Sequence, residues 1–231
     1  MASSEEAGLC FPKDILSNMS PEARKDIYIK MLVASSHIIV FQESSNRPIE
    51  FFVPGKPTQW PTSALAKFRE YSEQETNAVS YGLNHFNLVD TTTQREASIL
   101  QTFLVSPTST HARLLSHMSL SFPALQMVQG QPEALGLTQE GMRTLKLLQD
   151  YCVNLKTLEF YVHKGNAFDL AGEVPSKSCN KALSQVNAQL KAVPSLERII
   201  IRYYYDRPTP EAMQLIQGLG WMVLMGDMVA P

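Results

Sequence analysis

One apolar pattern recurs three times along this chain at almost constant spacing. Leu115-x-x-Met118-x-Leu120-x-Phe122, Leu155-x-x-Leu158-x-Phe160-x-Val162 and Leu196-x-x-Ile199-x-Ile201-x-Tyr203 begin 40 and then 41 residues apart. A weaker fourth copy, Leu219-x-x-Met222-x-Leu224, starts 23 residues after the third. Apolar residues at every second position are the signature of a strand with one buried face. Each copy follows a segment of helical spacing, so the repeating unit is a helix and then a strand. Such a unit cannot bury its apolar side alone, and neighbours stack to share one core.

Helix and strand alternating at this spacing predict right-handed crossovers and a parallel sheet. Helices on one side of such a sheet curve it, as in leucine-rich repeats. The fold expected is α/β, with a leucine-rich-repeat-like curved sheet of three to four strands over residues 62–231. Local signals place the helices. Thr138 caps one that carries Met142, Leu145, Leu148 and Cys152, residues 178–192 form another, and Thr209-Pro210-Glu211 opens a third. Upstream, Phe86-Asn87-Leu88-Val89 is a short strand, and Asp90-Thr91-Thr92-Thr93 caps the helix with Ile99, Leu100, Phe103 and Leu104.

The N-terminal part reads differently. Residues 1–10 are polar and acidic and are expected to be a disordered tail. Ser20-Pro21-Glu22 combines a capping serine, a proline at the first helical position and an acid in the first turn. The helix it starts is expected to reach Val33. Residues 37–41 and 49–53 are β-branched or aromatic runs around the turn Ser44-Ser45-Asn46-Arg47, which predicts a hairpin.

Within this part, Phe11-Pro12-x-Asp14-Ile15 resembles the opening of an F-box. Pro21-Glu22-Ala23-Arg24-Lys25-Asp26-Ile27-Tyr28-Ile29-Lys30-Met31-Leu32 is similar to the first long helix of fungal F-box-like proteins. Tyr81-Gly82-Leu83-Asn84-His85-Phe86-Asn87-Leu88 and Cys152-Val153-Asn154-Leu155-Lys156-Thr157-Leu158 resemble later elements of the same group. The resemblance implies that residues 11–61 are an F-box-like helix plus hairpin. It further implies that Pro12, Ile15, Leu16, Ile27, Tyr28 and Met31 contact a Skp1-type adaptor, and that the chain serves as a recognition or scaffolding subunit.

Composition narrows the functional classes. A formal net charge of −2 supplies no global field for nucleic acid or an anionic membrane. Cys10, Cys152 and Cys179 are scattered and odd in number, unlike a disulfide framework. The N-terminal residues do not form a secretory signal, and no apolar run is long enough to span a bilayer. A cytoplasmic or nuclear protein is expected. There is no zinc-finger spacing, phosphate loop or nucleophile elbow, so neither a metal, a cofactor nor a catalytic residue is assigned.

The remaining candidates stand on the strand positions that alternate with the apolar ones. Tyr161, His163, Arg198, Ile200, Arg202, Tyr204 and Trp221 are expected on the open face, and Tyr, Trp and Arg are the residues that most often anchor protein interfaces. Two competing readings use the same region. Arg198, Arg202 and Arg207 among tyrosines suggest a basic aromatic surface for single-stranded nucleic acid. Glu159 and His163, with Tyr161 between them, suggest acid–base chemistry in a hydrolytic enzyme.

Overall fold

The computed structural model describes residues 13–55, 60, 63–91, 95–105, 110–128, 131–162, 176–204 and 207–226. It is an α/β protein whose main sheet is mixed and mostly parallel. The N-terminal expectations at residues 1–10 and at Pro12 lie outside the described residues.

Two helices lead in, α1 (Lys13–Ser17) and α2 (Pro21–Leu32). Ser20 caps α2 by accepting the Ala23 N–H at 3.3 Å, which supplies one of the donors a helix start leaves unpaired. The hairpin follows as β1 (Ile38–Phe41) and β2 (Glu50–Phe52). Helix α3 (Ser63–Gly82) is broken at Ser72, whose φ of −156° and ψ of 98° are extended. The Ser72 hydroxyl accepts the Glu75 N–H at 3.3 Å, so it restarts the helix as a cap would.

Strand and helix then alternate. β3 (His85–Leu88) leads to α4 (Glu96–Val105), a 3₁₀ turn (Thr110–Leu114) and β4 (His117–Ser121). A separate hairpin of β5 (Leu125–Val128) and β6 (Gln131–Leu137) precedes α5 (Gln139–Tyr151) and β7 (Thr157–Val162). The chain closes with α6 (Ser176–Leu190), β8 (Arg198–Tyr203), α7 (Pro210–Gly218) and β9 (Met222–Met225). Thr138 and Thr209 cap α5 and α7 as the sequence predicts, accepting from Gly141 at 3.0 Å and Ala212 at 3.2 Å.

The main sheet has seven strands among the described residues, ordered β2-β1-β3-β4-β7-β8-β9. Only β2 runs antiparallel; from β1 onward neighbours are parallel and follow chain order. The sheet thus exceeds the three to four strands expected. β1 pairs with β3 and β3 with β4, so the hairpin belongs to the same sheet as the repeats. β1 lacks the leading leucine of the repeat, and β3 carries it, as Leu83-x-x-Phe86-x-Leu88, but 32 residues before the next copy, which hid both from a search by period.

The apolar positions of the repeats meet in register. Phe86, Met118, Leu158 and Ile199 form one line across four strands, and Leu120, Phe160, Ile201 and Val223 form another. Both lines join Ile99, Leu100 and Phe103 of α4, Leu145 and Leu148 of α5, Leu183 and Val186 of α6 and Ile216 of α7 in one core. A smaller core of Leu16, Tyr28, Leu32, Phe68 and Val79 joins α1, α2 and α3. Arg24 fastens α2 to the second half of α3 through a two-pronged contact with Glu75, at 2.7 and 3.0 Å. Asn84, buried between α3 and β3, accepts from Ala34 N at 2.7 Å and donates to Leu32 O and Ser80 O at 2.9 and 2.7 Å. It stitches the helical corner to the sheet.

Three expectations are corrected by packing. The fourth copy is a strand, but its faces are reversed: Met222 pairs with Ile200 and Val223 with Ile201. Trp221 therefore points inward, buried, with its indole N–H on Asn187 Oδ1 of α6 at 3.2 Å. A strand has period 2, so a one-residue shift exchanges the faces, and the larger Trp221 takes the buried side. Met142, expected on the inner stripe of α5, is exposed. Leu16 and Tyr28, expected at an adaptor surface, are fully buried in the small core, because each lies on the inner side of its helix.

Phe160 is fully buried at the centre of the repeat lines. Phe160→Ala is expected to cost about 3–5 kcal/mol in urea denaturation. Met222→Ala, at an exposed site, should stay within about 0.5 kcal/mol of wild type.

Candidate functional site

The sheet face opposite the helix-packed core carries polar and charged side chains in rows set by the strand register. His85 of β3, His117 of β4, Thr157 of β7 and Arg198 of β8 share one row. Asn87, Ser119, Glu159, Ile200 and Met222 form the next, and Ser121, Tyr161, Arg202 and Leu224 the third. The side chains are tied to one another across strands. His85 Nε2 and Ser119 Oγ share a hydrogen bond, and Tyr161 also bonds to Ser119. Arg202 Nε donates to Glu159 Oε1. Tyr161 packs edge-on against Tyr204, ring centres 5.4 Å apart.

His37, just before β1, extends the first row: its ring lies 6.0 Å from that of His85. The His85 and His117 rings are stacked 3.6 Å apart and nearly parallel, at 9°. Burial, then the neighbouring His117, His37 and Arg202, pushes the His85 imidazole down to about 3, so at neutral pH it is uncharged. Burial likewise lowers His117, against the opposing pull of the Glu159 carboxylate. The Nε2 atom of His117 is buried without a hydrogen-bond partner, and so is Oδ1 of Asn87.

Of the residues expected on this face, Tyr161 and Ile200 are there but buried, at 7% and 8% exposure. Arg202 and Tyr204 are half-buried, and Arg198 is exposed. Trp221 is on the other side, and His163 lies outside the described residues. Two consequences follow for the competing readings. Glu159 is engaged by Arg202, so it is held as an ion-pair acceptor, not as a free acid or base. The same pairing removes Arg202 from a basic patch, leaving Arg198 and Arg207 as the exposed arginines of that set.

The histidine row is the feature that sequence reasoning missed. Its signal was present: His37-Ile38-Ile39-Val40, His85-Phe86-Asn87-Leu88 and His117-Met118-Ser119-Leu120 each place a histidine at the start of an alternating strand. The three histidines are 48 and 32 residues apart, so neither metal-ligand spacing nor a fixed period reveals them. Arg202→Ala would strand the buried Glu159 carboxylate. It should cost about 2–3 kcal/mol, whereas Arg198→Ala should stay within about 0.5 kcal/mol, both read by urea denaturation.

A second feature lies past the C-terminal ends of β3 and β4, where open α/β sheets commonly bind ligands. A cleft of about 240 Å³ there is lined by Asp90, Glu96, Ser121, Pro123, Glu140 and Thr144, among others. Asp90 Oδ1 accepts the Glu96 N–H at 2.5 Å, capping α4 as expected. Glu96 itself is buried and takes the Ser121 N–H on Oε2 at 2.8 Å. Desolvation, aided by Asp90 and Glu140 and opposed by Ser121, pushes its carboxyl up to about 8. The folded chain thus keeps a proton that the unfolded chain loses from about pH 4.5 upward, and stability falls as pH rises toward 8. Glu96→Gln is expected to flatten that slope, by up to about 1.4 kcal/mol per pH unit. In thermal melts the variant should match wild type near pH 4.5 and exceed it above pH 8.

Comparison with protein-family models, with curated proteins and with solved structures found no match to this chain. Among the described residues no helix is long and apolar enough to cross a membrane.

Proposed function

We propose that this chain is a non-catalytic protein-interaction subunit with a leucine-rich-repeat-like sheet and an F-box-like N-terminus. The observation that carries the reading is the strand order. Parallel strands that follow one another in chain order, from β1 through β3, β4, β7 and β8 to β9, are what stacked helix–strand repeats produce, and such sheets bind partners on the face away from their helices.

On this reading the partner docks at the β8–β9 end of that face. Arg198 and Met222 are exposed there, with Arg202 and Tyr204 half-buried beside them, so arginine, aromatic and thioether surface lie together. Toward β4 and β7 the face is occupied by its own network: Ser119, Thr157, Glu159 and Tyr161 are buried. The buried part acts as a rigid support and the β8–β9 end as the contact. At the other end of the molecule, Ile15 and Met31 are large apolar side chains exposed at 47% and 38% on α1 and α2. They are the residues proposed to meet a Skp1-type adaptor. Leu16 and Tyr28 set the helices that present them.

The test uses the full-length chain and two double variants, Ile15→Asp/Met31→Asp and Arg198→Glu/Met222→Asp. Purified Skp1-type adaptor should be retained by wild type and by the second variant, and lost at least tenfold by the first. A partner recovered from the native cell should be lost from the second variant alone. Adaptor binding that is absent from wild type removes the F-box-like part. A partner profile unchanged in the second variant removes the sheet-face part.

A further inference from the structure

Three side chains of the open face converge from three separate strands. His85 of β3, His117 of β4 and Glu159 of β7 each place a metal-ligating atom within 4.8 Å of the other two. Two histidines and a carboxylate are the donor set that zinc and its neighbours accept while leaving a coordination position open. One observation beyond this proximity points to a ligand. His117 Nε2 is buried with no hydrogen-bond partner, a state that costs free energy unless an ion or water completes it. The imidazoles of His85 and His117 stand on the same side of the sheet, stacked 3.6 Å apart, and tilt for both to face one ion.

Contacts that orient metal ligands are also present. Ser119 Oγ holds the His85 ring, and Arg202 holds one oxygen of Glu159, as outer contacts do around metal ligands. Both histidines are half-buried residues. From these contacts we infer that His85, His117 and Glu159 bind one divalent transition-metal ion of the zinc type.

The geometry needs only local adjustment. Bonds of about 2.0–2.2 Å bring ligand atoms to roughly 3.4 Å from one another in a tetrahedron, so each atom moves by less than about 1 Å. The stacked rings must tilt about χ2, a soft torsion in histidine. Arg202 keeps one oxygen of the carboxylate, and the ion takes the other. A site of three protein ligands leaves room for water or for a donor from another molecule. The inference does not depend on the proposed partner surface, since it concerns the β3–β4–β7 part of the face.

The test is calorimetric titration of the untagged, chelator-treated full-length chain with Zn²⁺ in a non-coordinating buffer. One ion per chain is expected, with affinity reduced at least tenfold in His85→Gln and in Glu159→Gln and unchanged in Glu197→Gln, an exposed carboxylate elsewhere on the chain. Because Glu159→Gln deprives Arg202 of its partner, circular dichroism checks each fold. A measurement on wild type alone stands beside it: in imidazole-resolved NMR, Zn²⁺ should displace the His85 and His117 signals and leave those of His111. No stoichiometric binding, binding indifferent to both substitutions, or Zn²⁺ shifts confined to other histidines would each overturn the inference.

Discussion

Parallel pairing of β4, β7 and β8 in one register is the constraint on which the rest of this protein depends. It brings Leu120, Phe160 and Ile201 into line and places Met118, Leu158 and Ile199 in a second line beside them. Each side chain then buries itself against its counterparts on adjacent strands and against the helices that link them. At roughly 25 cal/mol per Å² of apolar surface, this shared burial is the dominant favourable contribution. A slip of one residue in any strand would turn an apolar set outward, so the register is strongly specified. Strand β9 shows the rule at work, since Trp221 and Val223 take the inner side and the motif's own Met222 and Leu224 turn out.

Fixing one face of the sheet also fixes the other. Parallel strands in register stack equivalent positions, so the residues alternating with the core form continuous rows. Here those rows are polar near β3, β4 and β7 and largely buried, which obliges them to satisfy one another. Ser119 serves His85 and Tyr161, and Arg202 serves Glu159. The exceptions, His117 Nε2 and Asn87 Oδ1, are neighbours in this network. Toward β8 and β9 the same rows open to solvent, with Arg198 and Met222 exposed. One architecture thus supplies a preorganised polar cluster and an accessible edge of different chemistry.

The helical corner is attached by directional bonds as well as by packing. Among the described residues its core has five buried side chains, and small cores alone stabilise weakly. Asn84 closes the junction with three hydrogen bonds to the α2 end and to α3, and Arg24 clamps α2 to α3 through Glu75. Buried polar groups that are fully bonded specify one arrangement where apolar contact would tolerate several.

Much of the fold was legible in the chain itself. Caps at Ser20, Thr138 and Thr209 and the alternation in β4, β7 and β8 depend on residues close in sequence, and local chemistry is what a sequence displays directly. Parallel crossover order also followed, because linking helices leave few topologies. What the sequence could not display were relations between distant residues. The membership of β1 and β3 in the same sheet depends on long-range pairing, and so does the inward turn of Trp221. The meeting of His85, His117 and Glu159 is the clearest case: each sits on its own strand at an irregular interval, and only the register of the sheet makes them neighbours.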